Sequence, residues 1–463
     1  MADFDERTEK FEKALRLGES FDIAKRELLA LGGVVYVYYA DGCVKDDAVE
    51  RLLISLCSHG ELRDGATPED VIKAAFPYLD VKRKTDVGEL VRSVLCGECV
   101  FLSSVCSYGL SVNARAFPSR EIDEPENEKV IRGARDGYVE TLLKNTAVIR
   151  RRIRDPSLTF RRLTVGRSTK TDVAVAYMAG RADPALVERV TEKLTHADVD
   201  GVIMGHQSLA EILIKEKWYD PFPKIRYTER PDASCAMLLE GSVIILCDSS
   251  PEAMILPTSI FDFMQETGDY YHTPLTGTYL RILRLVIYFL TVFLIPAWYL
   301  LIKEPSLIPP ALNFLKISNA GGLPVIVQLY VIEFAIDGLK LASLNTPSAL
   351  NNSLSAIGGL ILGDFAVQAG WFAPEVILYS AFVSIANFTQ PSNELGHAFK
   401  FLRLMITTLT FLFGRWGFIS GALFSLLLLL LNKTVDGRRG YLYPLIPFDR
   451  KALKALIVRE RLK

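Results

Sequence analysis

Glu333 and Asp337 stand four residues apart in the apolar run Val325–Leu341, so a helix would place them on one face, about 6 Å apart along its axis. Asp364 follows Gly363 inside another apolar stretch, and Asn387 closes the next one. A charge at mid-membrane costs roughly 2.5–3.5 kcal/mol on insertion scales, and such groups face protein or a water-filled interior. Glu333, Asp337, Asp364, Gly363 and Asn387 are therefore the candidate lining of a cation path. A structural reading stays open beside it. Asp337 can pair with Lys340 near the membrane edge, and Glu333 can serve a helix–helix contact. Gly358, Gly359, Gly363, Ala366 and Gly370 fit close helix packing as well as they fit a narrow pore.

Other chemistries find less support. HExxH, GxSxG and GxGxxG are absent. Gly166-Arg-Ser-Thr-Lys170-Thr171 lacks the glycines that a phosphate loop needs before its lysine, and reads as a surface turn. Cys96-Gly-Glu-Cys99, with Cys106 nearby, has no partner pair at zinc spacing and reads as reduced structural thiols. No catalytic residue, cofactor or metal is expected. The run Arg150, Arg151, Arg152 and Arg154, with Arg161, Arg162 and Arg167, is a dense basic cluster. Without interleaved aromatics, and on an acidic half-chain, it favours a solvated face, or docking on anionic lipid or an acidic neighbour, over nucleic acid.

The elements that must position these residues fall into two contrasting halves. The 463 residues are 50% hydrophobic with a mean hydropathy of +0.22. Residues 276–463 hold 17 basic and 9 acidic side chains, a balance of +8; totals of 53 and 54 leave −9 for residues 1–275. An acidic, polar front and an apolar, basic back exclude a disordered, fibrous or singly soluble chain. They indicate a membrane protein with a large headpiece. The charged start, MADFDERTEK, lacks the apolar core of a secretory signal, and seven cysteines make a poor disulfide framework; both place the headpiece in the cytoplasm.

Alternating strand and helix patterns predict an α/β headpiece of two subdomains, residues 1–120 and 121–275, joined at the acidic stretch Glu121–Glu128. Gly33–Ala40 is a buried strand, Lys45–Cys57 and Thr67–Phe76 are helices, and residues 99–117 form a hairpin. In the second subdomain we expect a helix over Gly137–Arg154, strands at Leu158–Val165 and Asp172–Met178, helices at Pro184–Leu194 and Ser208–Lys215, and a hairpin at Ala233–Cys247 turning on Glu240-Gly241. Residues 276–432 form a helical membrane domain and 433–463 a basic cytoplasmic tail. Ile282–Ile302, Leu323–Leu341, Ala349–Trp371 and Glu375–Gln390 are candidate spans, whereas Pro305–Ser318 is interfacial. Phe401–Leu431 is one long tilted helix or a re-entrant hairpin. Nine basic against three acidic residues after Leu431 put the tail inside, so the crossings are even in number, four or six. Trp298, Trp371 and Trp416 suit interfacial positions. No internal repeat is visible.

Several long segments carry a family resemblance. They are Ser20-Phe-Asp22, Glu124 through Thr141 continuing to Arg150–Arg154, Gly166–Asp172, Asp269-Tyr-Tyr271 with Gly277–Arg281, and Gly440–Phe448. Together they resemble the A-subunit (GerA) family of spore germination receptors. Glu333–Asp337, Thr346-Pro-Ser348 and Leu362–Val367 are most similar to its SpoVAF branch. The resemblance implies a multi-pass protein of the spore inner membrane. It would be a subunit of a ring-shaped homo-oligomer around an ion-conducting pore, and would work with other germination subunits and the dipicolinic acid release machinery. The family motifs are not catalytic. Thr267-Gly268 and Ala134 depart from the family pattern and touch local geometry only.

Overall fold

The computed structural model describes residues 2–58, 67–75, 80–116, 132–214, 217–317, 321–345, 359, 366–437 and 440–459. Gly363, Asp364 and the acidic stretch Glu121–Glu128 lie outside the described residues, as do 16 of the 23 residues of the Ala349–Trp371 span. Contacts divide the chain into two units. Unit 1 is Met1–Glu216 with Ile225–Thr258, and unit 2 is Lys217–Lys224 with Ser259–Lys463.

Unit 1 contains two five-stranded sheets. The first is built from α1 (Ala2–Leu15), β1 (Ile23–Ala30), β2 (Gly33–Ala40), α2 (Asp46–Ser58), α3 (Pro68–Ala75), β3 (Val81–Lys84), α4 (Val87–Leu95), β4 (Cys99–Ser103) and β5 (Gly109–Val112). The second follows with α5 (Leu142–Arg152), β6 (Leu158–Val165), β7 (Thr171–Met178), α6 (Pro184–Thr195), α7 (His206–Leu213), β8 (Arg226–Thr228), α8 (Pro231–Glu240), β9 (Val243–Cys247) and β10 (Ala253–Leu256). The element order is the same in both. So is the strand order: β1-β2-β4-β5-β3 against β6-β7-β9-β10-β8, each pairing antiparallel. Unit 1 is thus a mixed α/β body with a duplicated topology. The repeat is hidden in the sequence because topology survives on hydrophobic pattern alone.

Local chemistry explains the elements. Gly33–Ala40 is β-branched and aromatic, and pairs on both sides, so Val35, Val37, Tyr38 and Ala40 are buried. Leu31 and Gly32 take φ of +57° and +80°, which closes the β1–β2 hairpin with a two-residue turn of matching twist. The expected hairpin at Ala233–Cys247 is a helix and a strand instead. Pro231 opens α8 and Gly241, at φ +101°, closes it, and a Cβ there would meet Arg181 O at 2.8 Å. The helix expected from Gly137 starts at Leu142, after Thr141 as N-cap.

His206, at the first position of α7, is 3% exposed, and its Nδ1 lies 2.5 Å from Ser250 Oγ. Burial pushes its imidazole down from 6.5 to about 4. The folded state therefore resists a proton that the unfolded chain accepts. That stability is complete above pH 6.5 and is lost as pH falls from 6.5 toward 4. A His206→Gln chain should lack about 2 kcal/mol of acid dependence between pH 7 and pH 4.5, read from urea unfolding at the two values. Parallel pH profiles for the two chains would refute it.

Unit 2 is helical: α9 (Pro274–Lys303), α10 (Val325–Leu344), α11 (Pro374–Phe388), α12 (Asn393–Phe413), α13 (Arg415–Leu431) and α14 (Arg450–Ile457), with 3-10 turns at Pro305–Leu307 and Pro310–Leu315. Among the described residues α9 is the one helix long and apolar enough to cross a membrane; α10 has the length but carries Glu333, Asp337 and Lys340. Helices α9 and α12 run parallel: Tyr288 packs on Phe399, Arg403 reaches Thr291 O, and Lys303 reaches Thr410 O. Helix α10 runs against α12, with Tyr330 at Leu404 and Asp337 at Lys400. Helix α11 runs with α10, since Gln328 receives Ala373 N–H at one end and Lys340 covers Phe388 at the other. Asn345, which caps α10, and Ala366, which is bonded to Trp371 beside Gly322, consequently stand at opposite ends of the layer.

Phe401–Leu431 resolves as a helical hairpin. Gly414, at φ +61°, breaks it, and α13 folds back on α12. Gly417, Gly421 and Ser425 face α12 at successive turns, and a Cβ on Gly417 would clash directly with the Leu409 carbonyl. Gly417→Ala should therefore force the helices apart and cost about 3 kcal/mol, seen as a fall in thermal unfolding temperature in detergent. An unchanged temperature would refute this packing. Trp298 is packed among the helices: it is 3% exposed, donates to Leu315 O and packs on Tyr379.

Candidate functional site

Glu333 and Asp337, one helical turn apart on α10, both face α12. Two cations on α12 meet them with matching spacing. Arg403 Nη2 lies 2.6 Å from Glu333 Oε1, and Lys400 Nζ lies 3.5 Å from the same oxygen while also pairing with Asp337. Arg403 is 1% exposed, and its Nη1 donates to Thr291 O on α9 at 3.0 Å, so the cluster binds three helices. Asp337 pairs with Lys400 from another helix; Lys340, its expected partner, covers the Phe388 ring at 4.9 Å. Two carboxylates and two cations leave the cluster formally neutral.

Beside it opens a cleft of ≈ 560 Å³, lined by Asp337, Lys340, Asn387, Asn393, His397 and Lys400. Two of the candidate residues, Asp337 and Asn387, are therefore brought together from α10 and α11; Glu333 stands behind them. Sequence reasoning missed Lys400 and Arg403. Their signal was a basic pair spaced i, i+3 in an apolar helix, able to face an acidic pair spaced i, i+4.

The basic cluster on α5 divides. Arg150 does not belong to a docking face: it is 1% exposed. Its Nε donates to Asp22 Oδ2 at 2.7 Å, and its Nη2 to Asp22 Oδ1 at 3.1 Å, Ser20 Oγ at 3.3 Å and Leu158 O at 2.9 Å. Ser20 Oγ accepts from Phe160 N–H at 2.9 Å, and the guanidinium covers the Phe160 ring. This network joins the approach to β1 in the first repeat to α5 and β6 of the second. Arg152 pairs with Asp136 at 2.6 Å, and Arg151 and Arg154 are exposed. Arg161, Arg162 and Arg167 each pair with a carboxylate.

Cys99 opens β4, where burial pushes its thiol up to about 12, so it is a poor nucleophile or ligand. Among the described residues no group of His, Cys, Asp and Glu could hold a metal ion. Gly166–Lys170 is the β6–β7 turn, tied down by Ser168 to Asp200 and by Thr169 to Val202 N–H, and Thr171 and Asp172 open β7.

The family model for the Bacillus/Clostridium GerA spore germination protein matches residues 10–463. The chain belongs to the GerA family. Stage V sporulation protein AF of Bacillus subtilis (strain 168) is 34% identical over 452 residues, covering 97% of this chain and 91% of its own. Spore germination protein A1 of the same organism is 29% identical over 408 residues, covering 87% and 83%. The crystal structure of the N-terminal domain of the A subunit of the Bacillus megaterium spore germinant receptor GerK3 covers 54% of this chain and 93% of its own, with 26% identity and a TM-score of 0.42.

Among the described residues, three of the GerA motifs singled out above fall at joints of the fold. Ser20-Phe-Asp22 and Arg150 form the buried network between the repeats. Asp269 accepts from Arg284 at 2.7 and 3.1 Å, and Gly277 lets α9 approach so closely that a Cβ would lie 2.7 Å from Asp269 O. Tyr441, from the Gly440–Phe448 motif, receives Ile260 N–H on its carbonyl and donates its hydroxyl to Pro223 O at 2.8 Å. These residues hold the architecture together.

Proposed function

We propose that this GerA-family chain is a subunit of an oligomeric, gated ion channel of the spore inner membrane. It would release monovalent cations during germination, in association with the dipicolinic acid release machinery and other germination subunits. The observation that carries the reading is the charged cluster of Glu333, Asp337, Lys400 and Arg403 on facing apolar helices, opening into the cleft at Asn387. Buried charge in such helices serves a path or a joint. Helix directions favour six crossings. Five helices, α9 to α13, supply five passes, and the 20 residues between Asn345 and Ala366 connect opposite ends of the layer, the length a further pass needs. An even count leaves the headpiece and basic tail on the cytoplasmic side. In a ring, each acidic position would repeat once per subunit around the pore, with Gly363 and Asp364 on the adjoining span.

The pairing of Glu333 and Asp337 within one chain favours a second reading, a non-conducting scaffold that couples receptors to another channel. Ion flux from vesicles holding the purified protein separates the two. A cation leak that falls in Asp337→Asn and Asp364→Asn supports the channel. Folded, oligomeric protein that captures germination partners without any leak supports the scaffold.

A further inference from the structure

Trp218 is 97% exposed and Tyr219 56%, yet the residues that follow them are firmly held. Phe222 is 5% exposed and packs in one cluster with Ile260, Phe263, Tyr288 and Tyr441. Asp220 Oδ1 accepts from Asn432 Nδ2 at 3.2 Å, and Pro223 O accepts from the Tyr441 hydroxyl. Asp220 also pairs with Lys224 at 2.7 Å, and its N–H donates to Lys217 O at 2.9 Å, which fixes the turn carrying the two aromatics.

The anchoring residue fixes the height. Asn432 directly follows Leu426–Leu431, an unbroken run of six leucines at the end of α13, and Lys433 comes next. A helix passing through a bilayer leaves the hydrocarbon where such a run ends. The Trp218–Tyr219 pair is thus held at the level where apolar chain gives way to polar. Its rings meet edge to face at 5.9 Å, with Lys217 Nζ 5.7 Å from the Tyr219 ring. Exposed Trp and Tyr beside Lys suit the headgroup layer, where an apolar ring with a polar tip is satisfied on both sides. Tyr270, 50% exposed, and Tyr279, 61% exposed, stand near the start of α9 at the same end of unit 2.

We propose that Trp218 and Tyr219 insert into the headgroup layer of the bilayer crossed by unit 2, making Lys217–Lys224 a lipid anchor. The inference rests on α13 crossing that bilayer. It is tested with the full chain in a Cys57→Ser background, which removes the exposed native thiol. A nitroxide is placed by Trp218→Cys or by Leu423→Cys, the latter at a 61%-exposed position midway along α13. Both chains are reconstituted in phosphatidylglycerol–phosphatidylethanolamine vesicles, and the label's relaxation by oxygen and by a water-soluble nickel chelate is compared. The expected oxygen-to-nickel ratio at 218 is several-fold above that of free label in buffer and below that at 423. A water-like ratio at 218 with a lipid-like one at 423 overturns the anchor and leaves the crossing intact. Water-like ratios at both overturn the crossing itself. A label at 218 shielded from both reagents overturns the anchor in favour of a protein interface.

Discussion

Arg150→Met should lower the stability of unit 1 by about 3–5 kcal/mol, the usual cost of leaving one member of a buried ion pair alone. Asp22 is 1% exposed and would keep its charge with only Ser20 as a side-chain donor. Leu158 O and Asp155 O would lose a donor as well. Asp22→Asn in the same chain should recover part of the loss, because the stranded charge is removed, although the bridge between the repeats stays broken. Unfolding by urea, followed through an intrinsic probe of unit 1, reads both chains. A loss below about 1 kcal/mol for Arg150→Met would mean that water reaches the site and the two sheets hold together without it.

Arg403→Met should act as strongly in unit 2, again by about 3–5 kcal/mol. Glu333 would keep only Lys400, already shared with Asp337, and Thr291 O would lose its donor from α12. Glu333→Gln should be milder than Arg403→Met, since an amide still accepts a hydrogen bond from the guanidinium. The double change should fall short of the sum of the two, with a coupling of about 0.5–3 kcal/mol. Thermal unfolding in detergent measures the cycle, and strict additivity would dissolve the pair. Flux read on the same four chains tests function separately: a conduction change that tracks charge at 333 rather than stability belongs to the ion path.

Where a local pattern carried its own explanation, the sequence was legible. Gly33–Ala40, Leu158–Val165 and the apolar core of α9 each announce themselves by residue type within a few positions. Strand β1, Ile-Ala-Lys-Arg-Glu-Leu-Leu-Ala, was missed because three consecutive charges, tolerated at the edge of its sheet, break the strand's alternation. Helix α8 was mistaken for a strand because Ala233–Leu239 is apolar nearly all round; Pro231 and Gly241 were the decisive signals. The acidic half of the charged cluster in unit 2 was visible and its basic half was not, because Glu333 and Arg403 lie 70 positions apart and only folding sets them face to face. Arg150 shows the opposite failure. Its neighbours Arg151 and Arg154 are solvated, and composition alone cannot tell which cation of a run turns inward.

The excursion of Lys217–Lys224 changes how the two units can be separated. The chain passes between them at residues 216/217, 224/225 and 258/259. A protease that nicks after Thr258 would cut one of three covalent links and leave the halves attached. Shortened chains meet the same topology. A fragment ending at Thr258 carries eight residues stripped of Asn432 and Tyr441, with Phe222 turned out to solvent. One starting at Ser259 lacks the piece that closes its own core around Tyr441. Clean division takes two operations: a cut at 258 and replacement of the 217–224 excursion by a short turn. In the first repeat the matching connection is the α3–β3 loop, which runs only from Ala75 to Val81.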